Sequence, residues 1–166
     1  MRILDSNLWV FAFTGTNRRA ANFVEDAISC ETEIVLDAYV VNEVLEAFER
    51  STLLQGPETS EAMSHFLKLV RATSCIIQDF SEAERYEYDL ELERQQEYNK
   101  LLGQILDIQA KDAPILLLAS KYYNESPTVY TNDKDFADLT PGEYGLPNIE
   151  LEYVPDSDEE VSVPEL

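Results

Sequence analysis

A chain of 166 residues with 45% hydrophobic content is long enough for one well-buried core and needs no second domain. It has no run of about 18 apolar residues and no basic-then-apolar leader, which excludes a helical membrane span and predicts a cytoplasmic protein. The formal charge of −21 lies mostly in the body, since the stretch after Tyr153 holds only five of the acids (Asp156, Asp158, Glu159, Glu160, Glu165) and no Lys or Arg. Charge on that scale suits a halophilic host, where roughly 1 M salt shortens the Debye length to about 3 Å.

In chain order, Arg2-Ile3-Leu4 form a short buried strand that runs into Asp5-Ser6-Asn7, with Leu8 to Phe13 apolar again. So little alternation suits the middle of a parallel sheet covered on both faces, where ligands collect at the carboxyl ends of strands. Asp5 stands at such an end, either as part of a site or as a turn and cap for the next helix. Thr14 to Asn17 is a turn, and Arg18 to Ser29 carries Ala20, Ala21, Phe23, Val24, Ala27 and Ile28 at helical spacing. Glu33 to Val41 is predicted as a second, nearly continuous apolar strand. It passes into a helix with Glu43 in its first turn and Val44, Leu45 and Phe48 facing inward. An acid there is also an ordinary complement to the helix dipole.

Thr59 or Ser60 is placed to cap a helix with a stripe of Ala62, Met63, Phe66, Leu67 and Val70, off which lies His65. As the only histidine, His65 leaves little room for a His-based metal site or a Ser-His-Asp hydrolase. Thr73 to Phe80 is a third strand. Ser81 and Glu84 make a capping box that opens a long charged helix to about Asp107, although Tyr86 to Glu93 alternates with period two. Lys111-Asp112-Ala113-Pro114 opens a further helix through Tyr123, with Pro114 in its first turn and Asp112 at or beside the N-cap. Thr128 to Thr131 is a fourth strand ending in Asn132-Asp133-Lys134-Asp135-Phe136, and Ile149 to Val154 adds an edge strand. Residues 1–154 form one domain and 155–166 a disordered acidic tail. Cys30 and Cys75 lack a CxxC partner and are flanked by small or apolar residues, which predicts buried free thiols.

Asp5, Glu43, Asp112 and Asp133 each occupy a strand end or the helix start beyond one, so an open α/β sheet can bring them to one edge. Ionised carboxylates about 4 Å apart at an effective dielectric near 20 repel by about 4 kcal/mol per pair. A cluster of them must protonate or bind a cation. With only oxygen ligands offered, that cation is hard, Mg2+ or Mn2+, and phosphodiester hydrolysis is the chemistry it serves best.

Asp5-Ser6-Asn7 after the first strand, Glu43 within VVNEVLEAF, Asp112 within KDAPILLLAS and Thr131-Asn132-Asp133-Lys134-Asp135-Phe136 together resemble the motifs of the PIN domains, and among them the VapC-type toxin ribonucleases. The resemblance spans roughly residues 1–139. It implies a three-layer α/β/α sandwich around a central, mostly parallel sheet of four or five strands. It also implies a Mg2+- or Mn2+-dependent endoribonuclease acting on RNA, often a homodimer and often paired with an antitoxin protein. Carried over residue by residue, Asp5, Glu43, Asp112 and Asp133 hold metal, Asp135 is a further ligand or water-orienting acid, Thr131 a hydroxyl contact, and Ser6 and Asn7 support the site. Basic side chains are scarce for a nucleic-acid enzyme. Arg18, Arg19, Lys111, Lys121 and Lys134 are the ones nearest the expected site, and all but Lys121 are assigned to substrate binding.

Two rival readings stand beside this one. The first is a catalytically silent PIN-like binding module whose acidic patch receives a basic partner segment. The second is a phosphatase or phosphoacceptor domain with Asp5 as nucleophile, against which Asn7 replaces the second acid of the DxD opening.

Overall fold

The computed structural model describes residues 1–156, so the predicted tail of 155–166 lies almost wholly outside the described residues. Five short strands, β1 (Arg2–Leu4), β2 (Ile34–Asp37), β3 (Ile76–Asp79), β4 (Thr128–Thr131) and β5 (Glu150–Tyr153), form one sheet in the order β3-β2-β1-β4-β5. Every pairing is parallel, with Ile3 opposite Val129 and Val35 opposite Ile77. Consecutive strand residues point to opposite faces, and Ile34, Val35 and Leu36 are all fully buried, so helices cover both faces. The expected α/β sandwich is therefore present, with the sheet entirely parallel.

The helices are α1 (Ser6–Thr14), α2 (Arg18–Ile28), α3 (Ala38–Arg50), α4 (Pro57–Ala72), α5 (Glu82–Glu87), α6 (Leu90–Gln95), α7 (Glu97–Leu106), α8 (Ala113–Lys121) and α9 (Lys134–Ala137). Trp9, Phe13, Phe48 and Phe66 bring α1, α3 and α4 together, with Phe66 edge-on to Trp9 at 5.2 Å and to Phe13 at 5.9 Å. Such ring pairs add about 0.5–1.5 kcal/mol beyond their buried area. His65 also packs edge-on to Phe13, at 5.0 Å.

Four sequence expectations are corrected. The strand drawn over 33–41 ends at Asp37, because Asp37 caps a helix through the Val40 N–H (2.9 Å) and Ala38 to Val41 form its first buried turn. Glu43 consequently stands in the second turn. The helix expected from Ser81 to Asp107 is three helices: the Ser81–Glu84 capping box opens α5, but Tyr88 and Gln96 are extended breaks, and Asp89 caps α6 through the Leu92 N–H. Pro57 at the first helical position starts α4, ahead of Thr59 and Ser60. Cys30 and Cys75 form a disulfide across a sequence separation of 45, with Cys30 exposed and Cys75 half-buried. The bond ties the segments entering β2 and β3 at the amino end of the sheet.

Candidate active site at the carboxyl edge of the sheet

The chain order reverses between β1 and β4, so the crevice beyond their carboxyl ends is the topological switch point of the sheet. Asp5 leaves β1 there. Its two oxygens hold two hydroxyls: Ser6 Oγ donates to Oδ1 at 3.3 Å and Thr131 Oγ1 to Oδ2 at 2.8 Å. The Thr131 oxygen in turn accepts the Asp133 N–H at 3.0 Å. Thr131 is fully buried and thus locks the ends of β1 and β4 to each other.

Asp5 and Asp112 occupy the N-cap positions of α1 and α8, yet neither side chain caps its helix. Capping normally contributes about 1 kcal/mol, a contribution that both aspartates forgo; Asp5 accepts from Ser6 and Thr131 instead. Asp112, 3% exposed, keeps Oδ2 buried without a hydrogen-bond partner, and Glu43, 4% exposed, does the same with Oε2. Burial, reinforced by the Asp5 charge, pushes the Glu43 carboxyl up to about 8 despite Arg94. Burial pushes Asp112 up to about 7; the Lys111 ammonium opposes the shift while Asp5 and Asp133 add to it. Asp5, Glu43 and Asp112 are therefore electrostatic neighbours, with Asp133 beside Asp112.

The cations present are arranged around these acids. Arg94 Nη2 reaches Glu43 Oε1 at 3.5 Å and Glu46 Oε2 at 3.3 Å, and its Nε donates to the Tyr39 hydroxyl at 3.5 Å. That hydroxyl donates to the Lys111 carbonyl at 2.7 Å. Asp133 is differently employed: Oδ1 caps α9 through the Asp135 and Phe136 N–H groups, and Oδ2 accepts from Gln109 at 3.1 Å and lies 3.9 Å from Lys111 Nζ. Lys111 and Gln109 come from the loop after α7. Gly103 lets that loop approach closely, since a side chain there would meet the Ile108 carbonyl at 2.9 Å.

An open cavity of about 330 Å³ sits over Asp5 and Glu43, with Asn7, Arg50, Arg94 and Lys111 among its walls. Of the sequence-predicted residues, the crevice gathers Asp5, Ser6, Asn7, Glu43, Lys111, Asp112, Thr131 and Asp133. Asp135 and Lys134 are exposed on α9. Arg19 pairs with Glu152 and lies over the Phe23 and Tyr130 rings, and Arg18 is exposed at the start of α2. Lys121 is elsewhere, paired with Asp79 at the end of β3. Arg94, Arg50, Tyr39 and Gln109 were missed. Arg94 meets its acids 48 and 51 residues away in sequence, and no local pattern encodes that.

The donor chemistry fits a hard divalent cation: oxygen ligands only, two of them buried and unpartnered. As it stands, no group of three His, Cys, Asp or Glu among the described residues is arranged to hold a metal ion. One Glu43 oxygen faces Arg94, and the Asp133 oxygens accept from the Asp135, Phe136 and Gln109 N–H groups.

No protein-family profile matches the chain, and no curated protein matches it. Among solved structures the chain is similar to the crystal structure of VapBC2 from Rickettsia felis bound to a DNA fragment from their promoter, at 19% identity and a TM-score of 0.49, covering 92% of this chain and 98% of that one. Function at this level of likeness has to be read from the side chains themselves.

Proposed function

We propose that the chain is a divalent-metal-dependent nuclease that hydrolyses RNA phosphodiester bonds. One observation carries the reading: Glu43 and Asp112 keep buried carboxylate oxygens without partners beside Asp5, an arrangement that costs stability when the acids are ionised unless a cation completes it. Asp5, Glu43, Asp112 and Asp133 would hold Mg2+ or Mn2+, which when bound supplies an activated water and neutralises charge on the phosphoryl oxygens.

The chain's own groups do the positioning. Ser6 and Thr131 fix the orientation of Asp5 by donating to its two oxygens. Tyr39 holds the Lys111 carbonyl and thereby the residue before Asp112. Arg94 balances Glu43 and Glu46 in the free protein and competes with a cation at Glu43. The toxin reading, with an antitoxin partner and a homodimer, rests on the sequence resemblance alone.

A second reading has its own support. Arg94 against Glu43 and Lys111 against Asp133 support it, since both are basic side chains placed on these acids as a basic partner segment would be. Incubating labelled RNA with Mg2+, Mn2+ or EDTA separates the two. Cleavage that needs the divalent ion and is lost in Asp5→Asn and Asp112→Asn supports the nuclease; no cleavage with either ion favours the binding module.

A further inference from the structure

Beside the cavity over Asp5 and Glu43 lies a second one of about 430 Å³, and the two share Asn7, Arg50 and Lys111 as walls. The second cavity has no Asp or Glu in its lining, although the chain carries 33 acids against 12 bases. Its polar walls are Asn7, Ser51 and Thr52 together with the two cations, and the half-buried Phe11 ring and the exposed Leu53 supply apolar surface. Arg50 and Lys111 are both partly exposed, and each has an acid nearby, Glu46 at 3.4 Å from Arg50 on its own helix and Asp133 at 3.9 Å from Lys111. An anion-accepting groove thus leads away from the carboxylates on the α1 and α3 side of the molecule.

We propose that this groove is the track for a single-stranded polynucleotide, with Arg50 and Lys111 on successive phosphates and Phe11 under a base. The proposal rests on the nuclease reading for its direction, since it takes the strand from the carboxylates outward over Asn7. Phosphate contacts carry most of the affinity for single strands, and an aromatic face accepts any base. Of the four binding residues expected from the sequence the track keeps Lys111, and it puts Arg50 in place of Arg18, Arg19 and Lys134, since Arg50 and Lys111 line both cavities. Bound RNA and bound DNA would make the same phosphate contacts, so the chemistry named here is the strand and not the sugar.

The test is fluorescence anisotropy of labelled oligouridylate and oligodeoxythymidylate in EDTA, so that no cleavage intervenes, over a KCl series. Arg50→Ala and Lys111→Ala are each expected to weaken binding about five- to tenfold and to flatten the salt slope by about 0.7 per lost contact. Arg50→Lys is expected to bind as the unaltered protein does, and Arg19→Ala, whose guanidinium is paired with Glu152, to stay within about twofold. Both altered side chains are partly exposed, and circular dichroism melts confirm the fold of each variant.

Unchanged binding in Arg50→Ala and Lys111→Ala, an equal loss in Arg19→Ala, or no binding of either oligonucleotide at low salt overturns the proposal. Preference for oligouridylate assigns the track to RNA, and equal binding assigns it to the shared phosphate chemistry. Failure of the two readings is distinguishable. Metal-dependent cleavage unaffected by Arg50→Ala and Lys111→Ala keeps the nuclease and removes the track. Binding that follows the variants without any cleavage keeps the track and removes the nuclease.

Discussion

Two groups of acids stand at the same edge of one sheet, and local structure treats them differently. At the last residues of β2 and β3, Asp37 caps α3 through the Val40 N–H and stands opposite Asp79, which pairs with Lys121. Burial pushes Asp37 up to about 6 while that cap opposes the shift. Around β1, α3 and α8, Asp5 and Asp112 sit at N-cap positions without capping, and Glu43 and Asp112 retain buried oxygens with no partner. An acid at a strand end is thus uninformative by itself. An acid at a helix start whose side chain makes no cap, as at Asp5 and Asp112, is what sets this second group apart.

The sharpest way to break this contrast is a matched pair of substitutions. Asp112→Asn is expected to reduce Mn2+-dependent RNA cleavage at least about 100-fold, equivalent to about 3 kcal/mol of barrier. Asp37→Asn should leave cleavage within about twofold, since Asp37 belongs to the balanced group. A gel assay showing equal losses in both would erase the distinction between the two groups.

The amino end of the sheet offers a second contrast. Cys75→Ser removes the bridge to Cys30 and is expected to cost about 2–4 kcal/mol in urea unfolding without changing cleavage, because the site lies at the opposite edge. A large loss of cleavage at full folding would contradict that separation. The smallest effect is expected at Lys121. Lys121→Ala should cost less than about 1 kcal/mol, the usual worth of an exposed ion pair, while raising the Asp37 pKa further above about 6 in an NMR titration. No change at Asp37 would show that the lysine does not balance this group.

The placement of the candidate acids is legible in the sequence because they follow strand ends or open helices: Asp5 after β1, Asp133 after β4, and Asp112 beside Pro114 at a helix start. Glu43 was found for a partly wrong reason, since Ala38-Tyr39-Val40-Val41 reads as strand by composition and folds as a buried helical turn. A short apolar run cannot be assigned by periodicity. The three-way break of the segment from Ser81 to Asp107 escaped because single extended residues, Tyr88 and Gln96, interrupt good helix formers. The disulfide and the contacts of Arg94 and Arg50 are tertiary facts with no local signal. Nothing in the spacing of the basic residues distinguished Lys111, at the site, from Lys121, at the balanced group.

Asp5, Glu43 and Asp112 stand together with too little positive charge between them, and thermal melting as a function of pH and divalent ion reads that imbalance. Glu43 and Asp112 have folded-state values of about 8 and 7, above their ordinary values of 4.5 and 3.8, so the stability they contribute is complete at acid pH and lost as pH rises through 7 and 8. Metal-free protein should therefore melt several degrees lower at pH 8.5 than at pH 5.5, with Mn2+ or Mg2+ restoring the difference at pH 8.5 and doing little at pH 5.5 (about 2–4 °C per kcal/mol). Asp112→Asn should lose most of that ion-dependent rise and Asp37→Asn should keep it. An equal rise at both pH values in all three proteins would mean that the ion acts on the acidic surface as a whole, and would contradict the account.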